Sequence, residues 1–356
     1  MQRKQTRTLN VGTVGIGGNN PVRVQSMCNT DTRDVLATVT QITQLAEAGC
    51  EIVRLAVPDD TAAAALETIR EQSPVPLIAD IHFDHRLALA ALEAGIDGLR
   101  INPGNIGNEH KVDAVVRAAM AHGAPIRIGV NGGSLEKDLL RQYGGPTPEA
   151  MVESGLRHIA MLEKRGFNNI KISLKTSSVL NTITAYRLMA QEIDYPLHIG
   201  ITEAGTLVRG AVKSAVGLGI LLFDGIGDTL RVSLTHDPVT EIGVAYEILR
   251  SLGLRERGPE IISCPTCGRT EIHLIELAEK VEEALRGVEE VFTVAVMGCV
   301  VNGPGEAREA DIGIAGGRGL GIIFRKGQVV RKVKGDDNLL PEFMKEIHTF
   351  LNERRS

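Results

Sequence analysis

Eight short apolar runs begin near residues 22, 52, 77, 98, 126, 169, 197 and 229, and each is followed by a stretch of helical periodicity. Strands that alternate with helices this regularly pair in parallel, and eight βα units is the number that closes a TIM barrel. The helices are marked by their ends. Asp34 to Gly49 closes on a glycine, Pro148 to Arg165 carries apolar residues at Met151, Leu156, Ile159 and Leu162, and Asp237-Pro238 opens the last helix. A doubly wound open sheet competes, but no G-x-G-x-x-G follows its first strand. The expected architecture is therefore α/β: a TIM (βα)8 barrel over 1–254, a polar linker over 255–260 (RERGPE), and a smaller α+β domain over 261–356. That second domain mixes strands at 293–297, 321–325 and 328–333 with helices at 270–285 and 340–352.

Strand alternation says more than strand existence. In a βα barrel the face packed against the helices is apolar throughout. Val22/Val24, Val53/Leu55/Val57, Leu77/Ala79/Ile81, Leu99/Ile101, Ile126/Ile128/Val130, Ile170/Ile172/Leu174 and Leu230/Val232/Leu234 make up that face. Their alternates point into the barrel: Arg23 and Gln25, Arg54, Asp80 and His82, Arg100 and Asn102, Arg127 and Asn131, Lys171 and Lys175, Arg231 and Ser233. Internal salt bridges would explain part of this set, with Asp80 and Glu203 as partners. The cations outnumber those carboxylates, however, and a buried charge without a partner costs several kcal/mol. An anionic ligand at the strand C-termini is the better account, and arginine suits phosphate. A P-loop does not supply the site, because Ala211 stands where Gly205 and Gly210 would need a following lysine.

The net charge of -5 and the lack of a basic run argue against nucleic-acid binding. The longest apolar stretch, 291–301, is broken by Thr293 and Gly298 and falls short of the ~20 residues of a membrane span. The N-terminus has no apolar segment of secretory type, so a cytoplasmic protein is expected. Five cysteines, an odd number, suit metal or redox use better than a disulfide framework. Cys264-Pro265-Thr266-Cys267-Gly268 is a C-x-x-C, and Cys299 stands in the glycine-rich G-C-V-V-N-G-P-G-E segment with Glu306 as a hard donor nearby. An iron–sulfur cluster and a zinc site completed by His273 both fit this spacing.

The segments I-S-C-P-T-C-G-R, G-C-V-V-N-G-P-G-E, I-T-E-A-G-T (201–206) and G-I-G-D-T-L-R-V-S-L (225–234) resemble the (E)-4-hydroxy-3-methylbut-2-enyl diphosphate synthase family, from about Thr8 to the last helix. The resemblance implies a second domain similar to a sulfite-reductase module, holding a [4Fe–4S] cluster on Cys264, Cys267, Cys299 and Glu306. It also implies an iron–sulfur oxidoreductase of the methylerythritol phosphate route. That enzyme opens 2-C-methyl-D-erythritol 2,4-cyclodiphosphate reductively to the linear hydroxymethylbutenyl diphosphate, with flavodoxin or ferredoxin as electron donor. Arg54, Arg100, Arg127, Lys175, Arg231 and Ser233, with Asn102 and Asn131 as neutral donors, are then the substrate-binding set. Glu203, on the loop after the seventh strand, is the expected proton donor, with His82 and Asp80 as further candidates. A linker this short, leaving the barrel at the face opposite its mouth, predicts a homodimer in which each cluster serves the partner's barrel.

Overall fold

The computed structural model describes residues 2–299 and 307–355, in two compact units, Met1–Arg255 and Glu256–Ser356. The first opens with an antiparallel hairpin, β1 (Leu9–Val11) and β2 (Val14–Ile16). Eight parallel strands follow: β3 (Arg23–Met27), β4 (Ile52–Ala56), β5 (Leu77–Asp80), β6 (Gly98–Ile101), β7 (Ile126–Asn131), β8 (Ile170–Lys175), β9 (His198–Ile199) and β10 (Thr229–Leu230). They pair in the order β8-β7-β6-β5-β4-β3-β10-β9, and a parallel bridge between Ile172 and Leu197 joins the two ends into a barrel.

The apolar alternates of these strands are buried in one continuous core with the surrounding helices, whose own stripes include Ile42, Leu45, Leu66, Val115 and Ile159. Side-chain caps start the helices where the sequence marks them. Asp34 accepts from the Ala37 N–H ahead of Val35–Glu47, Thr147 accepts from Ala150 N–H with Pro148 at the first turn, and Asp237 does the same for Pro238–Ser251.

The hairpin was not expected from the sequence. Its Leu9, Val11 and Ile16 pack on Ile52 and Ile78, inward-facing residues from β4 and β5, in a separate apolar cluster. The N-terminal end of the barrel is therefore plugged with apolar side chains. Polar residues occupy the C-terminal end.

The second unit is a five-stranded sheet in the order β11 (Glu260–Ser263), β12 (Thr293–Met297), β13 (Ile312–Gly317), β14 (Leu320–Arg325), β15 (Gln328–Lys334). The first three are parallel and the last three antiparallel. Helices Leu274–Ala284 and Leu339–Arg355 pack on it through Leu277, Val281, Phe343 and Ile347 against Val294, Val296, Ile312 and Ile314. Two strands depart from the expectation. β11 begins at Glu260, the last residue of the expected linker, and the glycine-rich β13 is not among the expected strands. Its glycines are there for contact: a Cβ on Gly313 would lie 2.3 Å from the Phe324 ring, and one on Gly316 2.3 Å from the Ile272 side chain. The first helix starts at Leu274 rather than 270, with His273 at its exposed N-cap position.

Gly313→Ala should thus overpack the β13–β14 contact and destabilise the second unit by about 1–3 kcal/mol. Denaturant unfolding followed by hydrogen exchange at β12–β14 checks it. Unchanged protection would show that the sheet yields without cost.

Candidate active site

The C-terminal half of the barrel interior is built from charged residues on successive strands. Asp80, at the end of β5, is its only described carboxylate on a barrel strand. It accepts from Arg100 Nη1 at 2.9 Å, lies 3.5 Å from Arg54 Nε and 3.6 Å from His82 Nε2. Burial pushes the Asp80 carboxyl upward, but Arg54, His82, Arg100 and Arg127 together outweigh it and hold the group ionised far below the usual carboxylate range. A second buried carboxylate, Glu241, reaches in from the last barrel helix. It accepts from Arg231 at 3.2 and 3.4 Å, from Ser26 Oγ at 2.8 Å and from the Leu234 N–H.

These two acids leave three cations without a carboxylate partner among the described residues. Arg127 is buried with Nε and Nη1 unbonded, and Lys171, its neighbour in the β7–β8 register, is buried with Nζ unbonded. Burial and then the nearby Arg127 lower the Lys171 ammonium to about 7. Lys175, buried at the end of β8, has His198 Nε2, at 3.3 Å, as its one hydrogen-bond partner among the described residues, and burial followed by Arg127, Arg54, Arg231 and Arg100 depresses it strongly. Beside Asp80, Arg54 turns its Nε and Nη2 to the Met27 sulfur at 3.2 and 2.9 Å, and Arg231 Nη1 lies 3.6 Å from the same sulfur. A thioether is a weak acceptor that a phosphate oxygen can displace.

The structure thus brings together Arg54, Asp80, His82, Arg100, Arg127, Lys175 and Arg231. Asn102 is buried and spends its Oδ1 on the Gly104 N–H at 3.0 Å, capping the short helix Pro103–Ile106, so only its amide N–H groups remain to donate. Asn131 ends β7 opposite Lys175 in register. Ser233 is half-buried past β10, and Glu203 is exposed past β9; neither makes a described contact with the cationic set. The expected pairing of Glu203 with a barrel cation is not found among the described residues. Glu203 instead sits at φ +52, a left-handed backbone that non-glycine residues adopt rarely and that clusters at functional loops. Arg23 is also placed differently: it lies at the opposite end, on Glu51 at 2.7 Å and the Gly15 carbonyl.

Glu241 and His198 were missed. Signals for both exist in the sequence. Glu241 falls on the buried stripe of its helix with Ala245, Ile248 and Leu249, and His198 alternates with the outward Leu197 and Ile199. Cys28 and Cys50 are buried among apolar residues, which pushes both thiols up to about 12. They are packing residues.

In the second unit Cys264 follows β11 and Cys299 closely follows β12, so both leave the C-terminal ends of adjacent parallel strands. Gly298 N–H points at Cys264 Sγ at 3.3 Å, and the Glu271 N–H to Gly298 carbonyl bond ties the C-x-x-C turn to the Cys299 segment. Cys267 is exposed, and backbone and side-chain hydrogen bonds from Arg269 hold its thiol below the ordinary value. Soft thiols with N–H groups aimed at sulfur are the chemistry an iron–sulfur cluster takes, although among the described residues no three such donors converge closely enough to hold a metal ion. Glu306 lies outside the described residues.

Residues 6–246 match the family described as the GcpE TIM-barrel domain, and residues 260–349 match the GcpE protein C-terminal domain. The chain belongs to the GcpE family. Its relatives include proteins named 4-hydroxy-3-methylbut-2-en-1-yl diphosphate synthase (flavodoxin). The one from Maridesulfovibrio salexigens is 77% identical and covers 100% of this chain and 99% of its own. That from Nitratidesulfovibrio vulgaris is 70% identical over 100% of this chain and 92% of its own. The barrel is also similar in fold to a truncated 3-deoxy-D-arabino-heptulosonate 7-phosphate synthase from Thermotoga maritima, at TM-score 0.51 and 13% identity over 71% of this chain and 95% of that one. As a GcpE member the chain is an enzyme, an oxidoreductase.

Lys171 gives this GcpE barrel a pH signature. Its folded value of about 7 lies below the ~10.4 of an unfolded lysine. Between the two, the unfolded chain holds a proton that the folded barrel does not, so stability rises with pH from about 7 to 10. Lys171→Met should flatten that rise in urea midpoints taken across the interval. An undiminished slope would place the titration elsewhere.

Proposed function

We propose that the cationic mouth of the barrel binds the diphosphate of 2-C-methyl-D-erythritol 2,4-cyclodiphosphate and that the chain converts it to (E)-4-hydroxy-3-methylbut-2-enyl diphosphate, the product in its relatives' name. The observation that carries this reading is the Arg127 guanidinium, buried in the barrel interior near Arg54, Arg100 and Lys175 with Nε and Nη1 unbonded among the described residues. A buried guanidinium without a counter-charge is costly, and a diphosphate supplies the missing charge. Arg54 and Arg231 hand their N–H groups from the Met27 sulfur to phosphate oxygens, and Asn102, Asn131 and Ser233 add neutral donors. Asp80, held ionised, has no proton to give; it anchors Arg54 and Arg100. Proton delivery to the departing hydroxyl falls to Glu203, exposed at the mouth-side loop, with His82 beside Asp80 as the second donor.

Cys264, Cys267 and Cys299, with Glu306, would hold a [4Fe–4S] cluster, which when bound supplies the two electrons one at a time, replenished by flavodoxin. Gly298 N–H is aimed at the Cys264 sulfur, and the hydrogen bonds from Arg269 favour thiolate at Cys267.

Two features support a homodimer. Arg255, where the chain leaves the barrel, is pinned to the Val22 carbonyl and Glu51 at the N-terminal face. The helix Leu207–Phe223 exposes Val208, Val212, Val216 and Phe223 in an apolar stripe along its outer side, as a protein–protein surface would. In the proposed dimer each cluster serves the partner's mouth.

The decisive assay is anaerobic. Protein carrying about four iron and four sulfide should reduce the cyclodiphosphate with reduced flavodoxin, and Glu203→Gln should lose most turnover while binding substrate as before. A Gln variant at full rate removes Glu203 from the chemistry, and a protein that binds no diphosphate removes the reading itself. Co-folding an Arg127→Leu chain with a Cys264→Ser chain, each inactive alone, should restore activity through one intact pair. Verified heterodimers without activity would mean that each chain serves its own barrel.

A further inference from the structure

Lys175 is buried among guanidinium groups, and its one described partner is a neutral ring. That ring is His198 of β9. It is fully buried, with Nε2 3.3 Å from Lys175 Nζ and Nδ1 2.7 Å from Thr229 Oγ1 of β10. Against the Lys175 ammonium, which can only donate, one tautomer serves both nitrogens. Nε2 accepts the Lys175 N–H, and Nδ1–H donates to the threonine hydroxyl. A second proton would set N–H against ammonium.

The strongest charges on His198 act against that proton, while the Asp228 carboxylate is spent on Leu197 N–H, Thr6 and Arg3. Those charges are Lys175 and Lys171 on β8, Arg127 on β7 and Arg54 on β4; together with burial, the larger effect, they depress the imidazole well below its ordinary value. The backbone behind the ring is fixed as well. β8 and β9 meet in one regular bridge only, and beside it the Tyr186 hydroxyl is inserted into the seam, accepting the Leu174 N–H at 3.0 Å and donating to the His198 carbonyl. Lys175 Nζ also lies over Gly200, where a Cβ would come within 2.8 Å of it. The seam therefore leaves a slot for one ammonium, with an acceptor at its wall.

We infer that His198 is a positioning residue that holds the Lys175 ammonium at the barrel mouth for the diphosphate, acting through its hydrogen bond to Nζ and not by touching the ligand. The inference rests on the proposed diphosphate reading of the mouth. Without this acceptor, Lys175 has no described group to keep it from swinging away from the surrounding guanidinium charge, and its contribution to the ligand is lost even though the residue remains.

The test is a double-mutant cycle of His198→Phe and Lys175→Met, with His198→Gln as the variant that keeps an acceptor, read by calorimetry with the cyclodiphosphate and with inorganic pyrophosphate. His198→Phe should weaken binding by about 10- to 50-fold, within the range of one charge-assisted hydrogen bond, and His198→Gln should restore much of it. In the Lys175→Met background the same His198 substitution should change binding less than about twofold, the non-additivity expected of groups that act through one contact. An equal loss in both backgrounds, or no loss in either, overturns the inference. If the wild-type protein binds neither probe, the functional reading of the mouth fails. The His198–Lys175 link is then decided by the same cycle in urea unfolding, where coupled losses support it and additive ones overturn it.

Discussion

Positive charge placed inside a barrel without enough negative charge to match it is the constraint on which this structure turns. Parallel strands bury both of their faces, so every inward side chain at the C-terminal half is removed from water whether or not it has a partner. Arg54, Arg100, Arg127, Lys171, Lys175 and Arg231 lie in the interior with Asp80 and Glu241 as their only ion-pair partners among the described residues. A folded chain tolerates such a surplus in three ways: by lowering the proton affinity of its lysines, by lending weak neutral acceptors, and by leaving the balance to a ligand. All three are present, in Lys171 and Lys175, in the Met27 sulfur and the His198 ring, and in the unbonded Arg127.

The remainder of the barrel makes that surplus bearable. Leu9, Val11 and Ile16 of the hairpin close the N-terminal end on Ile52 and Ile78, so the polar interior opens in one direction only. The outward strand residues and the helical stripes form an uninterrupted apolar shell, which supplies the stability that the charged interior costs. Strain is stored where the loops meet the mouth, most plainly at Glu203, whose left-handed backbone no neighbouring ion pair explains. In the second unit the same economy of strand ends recurs: two adjacent parallel strands deliver Cys264 and Cys299, and a hydrogen-bonded turn delivers Cys267.

The sequence by itself determined the eight βα units, the inward and outward faces of their strands and the residues on each, because period-2 alternation depends only on which side of a sheet must be apolar. It also determined the family, through two cysteine segments whose spacing few folds reproduce. Where backbone contact rather than periodicity decides, it was silent. The glycine-rich β13 is a strand because Phe324 and Ile272 occupy the space of its missing side chains, and the hairpin plug is visible only once Ile52 and Ile78 turn inward beneath it. Pairings lay further out of reach. That Asp80 serves Arg54 and Arg100, that Glu241 arrives from a helix to serve Arg231, and that His198 meets Lys175 across the seam opened by Tyr186 are facts of three-dimensional proximity between residues 10 to 26 positions apart. Periodicity assigns each of them a face. Only the closure of the barrel decides which neighbour shares it, because charge interactions depend on distance through space and the chain's order does not record that distance.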